Sequence, residues 1–258
     1  MNLYDQQRLA ALQTDNPVMR ELLERKSVRV YTEDPITPEE KAAILLAAAE
    51  APTAGGQQMY TILDITDPAK KQALAESCDH QPFIANAPMV LVFCTDCLRW
   101  YRGYQAAGSV PRKPGMGDFS IAVTDTAIAA QNAVTAAWSM GIGSCYIGDI
   151  MEQYEIHREL LELPDYVVPT VMVVFGRPTK QQALRPKPTR IDMCHLVAEN
   201  TYPKRQDEDY PAVFQNLCGE DFAGYMQGFC RRKYHSGFAL EMTRSMERHL
   251  EPFWKEQK

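Results

Sequence analysis

The sequence predicts mixed α and β structure, in the α/β or α+β class, because segments with helical and with strand periodicity alternate along the chain. The apolar run Met89–Cys94 is typical of a strand buried on both faces. Asp118 is expected to cap an alanine-rich helix that runs to about Met140 and has close neighbours on several sides. No sharp change of composition marks a domain boundary. We therefore expect one domain over residues 1–200, with residues 201–258 as its C-terminal helical extension.

The first half of the chain contains clear signals for where elements begin and end. Apolar residues on one face predict a helix over about residues 3–25, with a break at Asn16-Pro17. The stretch Thr37-Pro38-Glu39-Glu40 places a capping hydroxyl, a proline at the first helical position and a glutamate at the third. An alanine-rich helix to about Ala51 should follow. The next two elements are a strand and a short helix, over Tyr60–Thr66 and from Asp67 to about Ser77.

The second half alternates in the same way and ends in helices. The expected elements are a strand, an amphipathic helix, a buried strand and two C-terminal helices, over Ser144–Ile147, Glu152–Leu161, Thr170–Phe175, Pro211–Phe229 and Phe238–Trp254. Between the third and fourth of these elements lies a proline-rich segment that also carries basic residues; its prolines are at positions 178, 186 and 188. Proline lacks a backbone donor and restricts the residue before it, so this segment should be extended rather than helical.

Charge and composition exclude several classes of protein. The chain of 258 residues carries 27 Lys and Arg against 33 Asp and Glu, a net charge of −6, which disfavours binding to nucleic acids or anionic membranes. No apolar run approaches the roughly 20 residues that cross a bilayer. The seven cysteines lack the spacing of a disulfide framework, and the first residues lack a secretory leader pattern. We therefore expect a cytoplasmic protein without a membrane or nucleic-acid partner.

Several common site motifs are missing from the sequence. There is neither a G-x-G-x-x-G after a strand nor a G-x-x-x-x-G-K-[ST] loop, so dinucleotide and P-loop sites are not predicted. Cys94 and Cys97 form a CxxC pair without a second pair at zinc spacing, and we interpret them as ordinary buried thiols. The five histidines also lack the spacing of metal ligands, so no metal site is expected.

Four separated polar stretches remain as candidates for ligand binding. In extended chain, Arg25, Ser27 and Arg29 share one face, and a hydroxyl between two guanidinium groups suits a phosphate; the alternative is a solvated basic run after a helix end. The loop Ala51–Gln58 carries glycines that would let a flat ligand approach the backbone, with a plain turn as the alternative. The other two stretches are Asp79–Pro82, and Tyr146–Asp149 at the end of a predicted strand.

These stretches together resemble the FMN-dependent nitroreductase family, in its branch of flavin reductases and oxygen-insensitive nitroreductases. The resemblance covers nearly the whole chain and rests on the order and spacing of RKSVRVYTEDPIT (25–37), APTAGGQQ (51–58), ILDITD (62–67), HQPFIANAP (80–88), VLVFCTD (90–96), AAQNAVTAA (129–137), YIGD (146–149), FGRP (175–178) and VAEN (197–200). It implies an α+β three-layer sandwich with a mixed, mostly antiparallel sheet flanked by helices. It also implies a homodimer that exchanges the C-terminal extension, with FMN at each of two subunit interfaces.

The resemblance further implies roles for individual residues. Those matched to the phosphate are Arg25, Lys26, Ser27, Lys187 and Arg190, and those matched to the flavin ring and its edges are Arg29, Thr53, Gly55, Gln58, Gln81, Tyr146, Ile147, Gly148 and Asp149. Two departures from the branch matter. Thr189 intervenes before Arg190, which weakens the match of Lys187, and Asp149 replaces a second glycine with a carboxylate beside the expected reactive ring edge.

The activity that the resemblance implies is FMN-dependent oxidation of NAD(P)H by a ping-pong mechanism, with a nitroaromatic, a quinone or free flavin as acceptor. Arg29 is expected to stabilise negative charge on the reduced flavin, and no side chain is expected to act as an obligatory general acid. Arg231 and Arg232 are candidates for contacting the 2′-phosphate of NADPH, with a solvated charge run at a helix end as the alternative. Another flavin reaction, such as dehalogenation, flavin fragmentation or azoline oxidation, and a non-catalytic flavin-binding protein remain open.

Overall fold

The computed structural model describes residues 3–255. Over this part of the chain the helices are α1 Leu3–Ala11, α2 Pro17–Glu24, α3 Pro38–Ala49, α4 Pro68–Ser77, α5 Pro82–Ala85, α6 Leu98–Ala106, α7 Met116–Ser139, α8 Tyr154–Leu160, α9 Lys180–Leu184, α10 Met193–Leu196, α11 Tyr210–Cys218, α12 Phe222–Lys233 and α13 Gly237–Trp254. The strands are β1 Tyr60–Asp64, β2 Met89–Asp96, β3 Gly143–Ile147 and β4 Val167–Gly176. Single 3-10 turns lie at Ala54–Gly56, Asp149–Met151 and Asp207–Asp209.

The strands form one antiparallel sheet in the order β1-β2-β4-β3. β2 pairs with β1 on one side and β4 on the other, and all of its residues are buried. This confirms the prediction of a strand covered on both faces. An isolated parallel bridge joins Ser27 to Ser144 of β3. The sheet is therefore mostly antiparallel, with one parallel contact at its β3 edge.

Two hydrophobic cores cover the two faces of the sheet. On one face, Val92 of β2 and Val174 of β4 pack with residues of α4 and α5. On the other face, Leu91 of β2 and Phe175 of β4 pack against α3 and the long α7, whose alanines permit close contact. Side chains alternate across each strand, so a single strand feeds both cores. Helices, sheet and helices form three layers, which confirms the α+β sandwich.

The N-terminal caps of α3 and α7, the two helices that pack on the same face of the sheet, differ in how well the sequence predicts them. α3 has the expected capping box, in which the Thr37 hydroxyl accepts from the Glu40 N–H and the Glu40 carboxylate accepts from the Thr37 N–H. For α7, the prediction that Asp118 is the N-cap is wrong. The helix begins at Met116, and the Asp118 carboxylate accepts a hydrogen bond of 2.8 Å from the backbone N–H of Gly115, which is the N-cap.

The structure corrects two other expectations about elements and contains a helix that the sequence did not predict. α9 lies inside the proline-rich segment that was expected to be extended, because its five residues contain no proline. The single helix expected over Pro211–Phe229 is the two helices α11 and α12, separated at Gly219, which has a φ of +59°. The sequence did not predict α6, which follows β2 directly.

The chain forms two compact units. The first unit contains the sheet and comprises residues 25–184 and 241–255. The second unit has no strands and comprises residues 3–24 and 185–240. In the second unit, the Asp192 carboxylate accepts from the Tyr4 N–H at 2.8 Å and from the Asn216 side chain at 2.7 Å, which joins its early and late segments. The expected division at residue 200 and the exchange of the C-terminal extension between protomers stay predictions.

Candidate functional site

The basic segment, residues 25–31, runs along the edge of the sheet beside β3. Its Val28 N–H donates to the Ser144 carbonyl at 2.9 Å, next to the parallel bridge between Ser27 and Ser144. The segment approaches so closely that a Cβ on Gly143 would lie 2.5 Å from a methyl carbon of Val28, which is fully buried. Glycine at position 143 is therefore required for the segment to reach its place. The structure thus brings the basic segment against β3, the strand in which the sequence-predicted stretch Tyr146–Asp149 begins.

The charged side chains of the basic segment have different surroundings. The Lys26 ammonium group donates to the Ala183 carbonyl in the last turn of α9, at 2.6 Å, so it satisfies a helix C-terminus. The Arg29 guanidinium lies 5.9 Å from the ring centre of Phe83, a cation–π contact. The positive charge of Arg25 acts on Tyr146 and opposes the rise of its pKa. Arg25 and Arg29 therefore keep their charges available along the edge of the sheet.

The end of β3 presents one side chain, one core residue and one glycine. Tyr146 is 36% exposed, and its hydroxyl donates to the Gln131 side chain at 3.3 Å; burial of the rest of the residue raises its pKa to about 12. The side chain of Ile147 is buried in the core, so only its backbone is available to a ligand. Gly148 has a φ of −80°, which any residue adopts, and a Cβ there would come no closer than 3.8 Å to Met151. Neither conformation nor packing requires this glycine.

Gln81 and Asp149 form a hydrogen-bonded pair beyond the end of β3. The Gln81 side-chain amide donates to the Cys78 carbonyl at 2.9 Å and also to the Asp149 carboxylate. Two successive residues with left-handed backbone, Asp79 and His80, lead into this position after α4, and such conformations are costly outside glycine. The Gln81 N–H then donates to the Ala75 carbonyl at 2.8 Å, which closes the end of the helix. The structure thus brings together two residues that the sequence singled out separately.

Glu152, four residues beyond Gly148, is a member of this neighbourhood that the sequence analysis did not identify. It is 6% exposed, and its Oε1 has no hydrogen-bond partner within residues 3–255. Burial, and then the negative charges of Asp149, Glu241 and Asp79, raise its pKa to about 7. The signal available in the sequence was only its closeness to Asp149. The site therefore contains a carboxyl group that exchanges a proton near neutral pH.

The glycine loop, residues 51–58, is organised around Asp125 of α7, which was also not identified. The Asp125 carboxylate accepts from the Thr53 hydroxyl at 2.5 Å, from the Ala54 N–H at 2.9 Å and from the Met59 N–H at 3.4 Å. Asp125 is only 2% exposed. Its signal in the sequence was a lone carboxylate in an alanine-rich helix. Because the Thr53 hydroxyl donates its hydrogen bond to Asp125, its role within the chain is to hold the loop.

The remaining glycine-loop candidates are also tied into the loop. The Gln58 side chain donates to the Ala49 carbonyl at the end of α3, at 2.9 Å, and the Gln58 N–H donates to the Thr53 hydroxyl oxygen at 2.7 Å. Gly55 is exposed and has a φ of +58°, in the left-handed region. Backbone groups near Gly55, rather than the side chains of Thr53 or Gln58, are therefore the part of this loop that is open to a ligand.

The late basic candidates all belong to the unit without strands. The Lys187 ammonium group donates to the Leu23 carbonyl at 2.8 Å, and the Arg190 guanidinium donates to the Pro188 carbonyl at 3.4 Å. Arg231 and Arg232 lie in the last turn of α12, where the helix dipole favours positive charge. The Arg232 guanidinium also lies 5.5 Å from the ring centre of Phe229. Their roles in binding phosphate and NADPH stay predictions.

The comparison with protein families supplies the decisive observation. Residues 22–177, more than half of the chain, match the family model described as Nitroreductase family. The chain belongs to the Nitroreductase family. The matched region of this nitroreductase-family protein contains the basic segment, the glycine loop and the Gln81–Asp149 pair described above. The resemblance inferred from the motifs is thereby confirmed.

Individual relatives agree with this assignment. The chain is 34% identical over 188 residues to an oxygen-insensitive NADPH nitroreductase from Salmonella typhimurium, covering 72% of this chain and 75% of the relative. It is 31% identical over 195 residues to an FMN reductase (NADPH) from Bacillus subtilis, covering 75% of this chain and 77% of the relative. A solved structure of B. megaterium NfrA1 superposes with a TM-score of 0.80 at 28% identity, covering 91% of this chain and 98% of that one.

No helix within residues 3–255 is long and apolar enough to cross a membrane. The same residues contain no group of three or more His, Cys, Asp or Glu side chains that could hold a metal ion. Cys94 and Cys97 are both buried and not disulfide-bonded, and burial raises the pKa of each thiol to about 12. Their surroundings are those of inert core thiols.

Proposed function

We propose that this chain is an FMN-dependent NAD(P)H oxidoreductase that reduces nitroaromatic, quinone or flavin acceptors. The observation that carries the proposal is the arrangement around β3, where a basic segment lies along the strand and an open glycine with a polar pair follows its end. The activities named for the relatives, an FMN reductase and an NADPH nitroreductase, agree with it.

The donor groups around β3 fit FMN. A phosphate requires cations and hydroxyl donors, and Arg25 and Ser27 supply both on a segment held against the strand. A flat tricyclic ring requires close approach to the backbone and hydrogen-bond partners at its polar edge, for which Gly148 and Gln81 are suited. The chain lacks the glycine-rich loop of dinucleotide-binding folds, so one phosphate, as in FMN, fits better than the two of FAD.

The residues of the chain bind and orient the cofactor. FMN, when bound, supplies hydride transfer between the nicotinamide and the acceptor. Arg29 carries a permanent positive charge, so it would stabilise negative charge that develops on the ring. Gly148 leaves room for one ring face to approach the backbone, and Gln81 fixes the rotation of the ring through its polar edge.

We also propose that two copies form a homodimer in which the glycine loop of one protomer reaches the flavin of the other. The support is that Thr53 and Gln58 satisfy their own loop, which turns the backbone at Gly55 outward. Sedimentation equilibrium should show a dimer that retains flavin at all concentrations tested. A yellow monomer would contradict this part of the proposal.

The buried thiols Cys94 and Cys97 support a reducing, cytoplasmic location.

The test of the function uses the purified protein. We expect bound FMN, identified by chromatography after denaturation, whose visible absorbance bleaches with NADPH without oxygen and recovers on addition of a quinone or nitroaromatic. Arg25→Ala should weaken FMN binding about tenfold to a hundredfold, since a charge-assisted hydrogen bond contributes roughly 1.5–3 kcal/mol. Arg190→Ala tests the late basic candidate in the same way. Lys180→Ala, which removes an exposed cation from α9, is the control. A colourless protein that takes up no FMN would refute the function.

Nicotinamide choice is a finer part of the proposal. We propose that Arg231 and Arg232 favour NADPH over NADH by contacting the 2′-phosphate. Exposed charges are screened over about 8–10 Å at physiological salt, so the preference should decrease as salt is raised. The measurement is kcat/KM for both nicotinamides, at low and high salt, in the wild type and in Arg231→Ala/Arg232→Ala. A preference that neither salt nor the substitutions change would assign these arginines to the end of α12 alone.

A further inference from the structure

The orientation of the Gln81 side-chain amide is determined by its neighbours. Its nitrogen lies between two acceptors, the Cys78 carbonyl at 2.9 Å and the Asp149 carboxylate. An amide nitrogen has two hydrogens, so both are used in these bonds. Turning the amide over would place its oxygen against two other oxygens and lose both bonds. The usual ambiguity between the nitrogen and the oxygen of a glutamine is therefore absent here.

The oxygen of the same amide is left for another partner. Gln81 Oε1 accepts no hydrogen bond from residues 3–255, and the side chain is partly exposed. The Gln81–Asp149 pair thus presents a hydrogen-bond acceptor and no donor. Asp149 is half-buried and belongs to the 3-10 turn after β3, beside Gly148. An acceptor fixed in this way recognises an N–H group on a ligand and repels a carbonyl.

We propose that Asp149 is a positioning residue that fixes Gln81 as an acceptor for the N3–H group of the flavin ring. This inference rests on the proposed function. The polar edge of the isoalloxazine ring carries one donor, N3–H, between two carbonyl acceptors, so a glutamine that only accepts must pair with N3–H. With glycine at position 149, Gln81 would keep the Cys78 contact but lose the second constraint. The Asp149 carboxylate, at a position where glycine was expected, thus determines that Gln81 accepts a hydrogen bond from the ligand rather than donating one.

The test compares binding of FMN with binding of 3-methyl-FMN, which lacks the N3 hydrogen, measured by titration of the protein stripped of flavin. In the wild type we expect the methylated analogue to bind at least about tenfold more weakly, which is the loss of one hydrogen bond with its acceptor left unsatisfied. In Asp149→Gly the ratio of the two dissociation constants should fall by about threefold or more, because Gln81 can turn and accommodate the analogue.

A second variant changes the polarity of the contact rather than removing it. The Asn side chain of Asp149→Asn can donate to Gln81, which permits the turned amide and places its nitrogen toward N3–H. We expect FMN itself to bind about tenfold more weakly in this variant. With ¹⁵N3-labelled FMN, the N3–H proton resonance should move upfield in Asp149→Asn and in Gln81→Ala relative to the wild type. This resonance reports the hydrogen bond directly, independent of turnover.

Matched controls separate positioning from loss of charge. Asp79→Asn removes a carboxylate two residues before Gln81, at a left-handed position that asparagine tolerates, without altering the Gln81 amide contacts. It should leave the ratio of the two dissociation constants unchanged. In a Gln81→Ala background, Asp149→Gly should have no further effect on that ratio, because the group it positions is gone. Circular dichroism and thermal unfolding check that each variant is folded.

The outcomes distinguish the two proposals. Wild-type protein that binds FMN but gives the same dissociation-constant ratio as folded Asp149→Gly would overturn the role of Asp149 and leave the function standing. An Asp149→Gly effect that persists undiminished in the Gln81→Ala background would overturn it as well, since Asp149 would then act without Gln81. Wild-type protein that binds no FMN would overturn both.

Discussion

The glycine loop and the Gln81–Asp149 pair use the same chemistry in opposite ways. In both, an aspartate accepts a hydrogen bond from a polar side chain in a turn-rich segment. In the loop, the carboxylate is 2% exposed and accepts the hydrogen bond of the Thr53 hydroxyl. In the pair, the carboxylate is half-buried and leaves the oxygen of Gln81 unpaired within residues 3–255. The depth of the aspartate therefore separates a contact that only holds the fold from one that leaves an acceptor open to a ligand.

The difference follows from where each carboxylate originates. Asp125 projects from α7 and is buried, so it must be fully hydrogen-bonded because an unpaired buried charge is costly. Asp149 follows a strand end, where solvent or a ligand completes its surroundings. Substitutions at Asp125 should therefore change stability first, whereas those at Asp149 should change flavin recognition.

The largest effect is expected for Asp125→Ala. This change removes the acceptor for the Thr53 hydroxyl and for the backbone N–H groups of Ala54 and Met59. Hydrogen bonds to charged groups contribute roughly 1.5–3 kcal/mol each. The bond from Met59 is long at 3.4 Å, so the two shorter bonds determine the expected loss of about 3–6 kcal/mol in the free energy of unfolding. Urea denaturation measures it. Thr124→Ala, at an exposed position of the same helix, is the control and should be nearly neutral.

A loss below about 1 kcal/mol for Asp125→Ala would show that the glycine loop is held by other contacts. Asp125→Asn separates the contribution of charge from that of shape. Its oxygen can still accept one hydrogen bond, but its amide nitrogen faces a donor. We expect an intermediate loss of stability for this variant.

The next largest effect concerns Glu152 and appears as a dependence on pH. Its pKa of about 7 in the folded protein, against an ordinary value of 4.5, means that the folded state keeps a proton that the unfolded state loses. Stability from this group is fully present below about pH 4.5 and decreases as pH rises toward 7, by about 3 kcal/mol in total. Glu152→Gln should abolish this decrease, as measured by urea denaturation from pH 4.5 to 8.

The comparison for Glu152 is made between variant and wild type at each pH. Burial lowers the pKa of the nearby His157 and His249, the latter to about 4, so both histidines give a slope of opposite sign below pH 6.5. That slope is common to both proteins and cancels in the difference. Glu159→Gln, an exposed glutamate of α8, should follow the wild type. Parallel curves for Glu152→Gln and the wild type would show that the Glu152 carboxyl is ionised in the folded state at ordinary pH.

The contrast between the two regions also explains what could be predicted from the sequence. The prediction of the fold depended on local signals, such as the apolar run of β2 and the capping box at Thr37. The structure confirms both elements. Gln81 and Asp149 were identified from the family resemblance, but their contact spans 68 residues of sequence. Asp125 and Glu152 were missed because their roles arise only from burial, which places one against a loop 71 residues away and the other among three carboxylates.

A smaller effect is expected where the basic segment meets β3. In Gly143→Ala the new methyl group would lie 2.5 Å from one methyl carbon of Val28 and 2.7 Å from its Cβ, and the side chain of valine is too stiff to turn away. We expect a loss of about 1–3 kcal/mol, typical of overpacking, together with weaker FMN binding as the basic segment is displaced. Unchanged stability and binding would show that the segment can shift without loss.

The smallest effect on stability is expected for the same substitution at the other end of β3, in Gly148→Ala. The backbone at Gly148 has φ −80° and ψ −20°, and the nearest contact of a new Cβ is 3.8 Å, so the folded protein accommodates alanine without strain. Alanine also restricts the unfolded chain, which should stabilise the protein by about 0.4–1 kcal/mol. FMN binding should nevertheless weaken about fivefold to a hundredfold, because the methyl group occupies space that we assign to the ring. A variant that is more stable yet binds flavin poorly would establish that this glycine serves the ligand, whereas unchanged FMN affinity would place the ring away from Gly148.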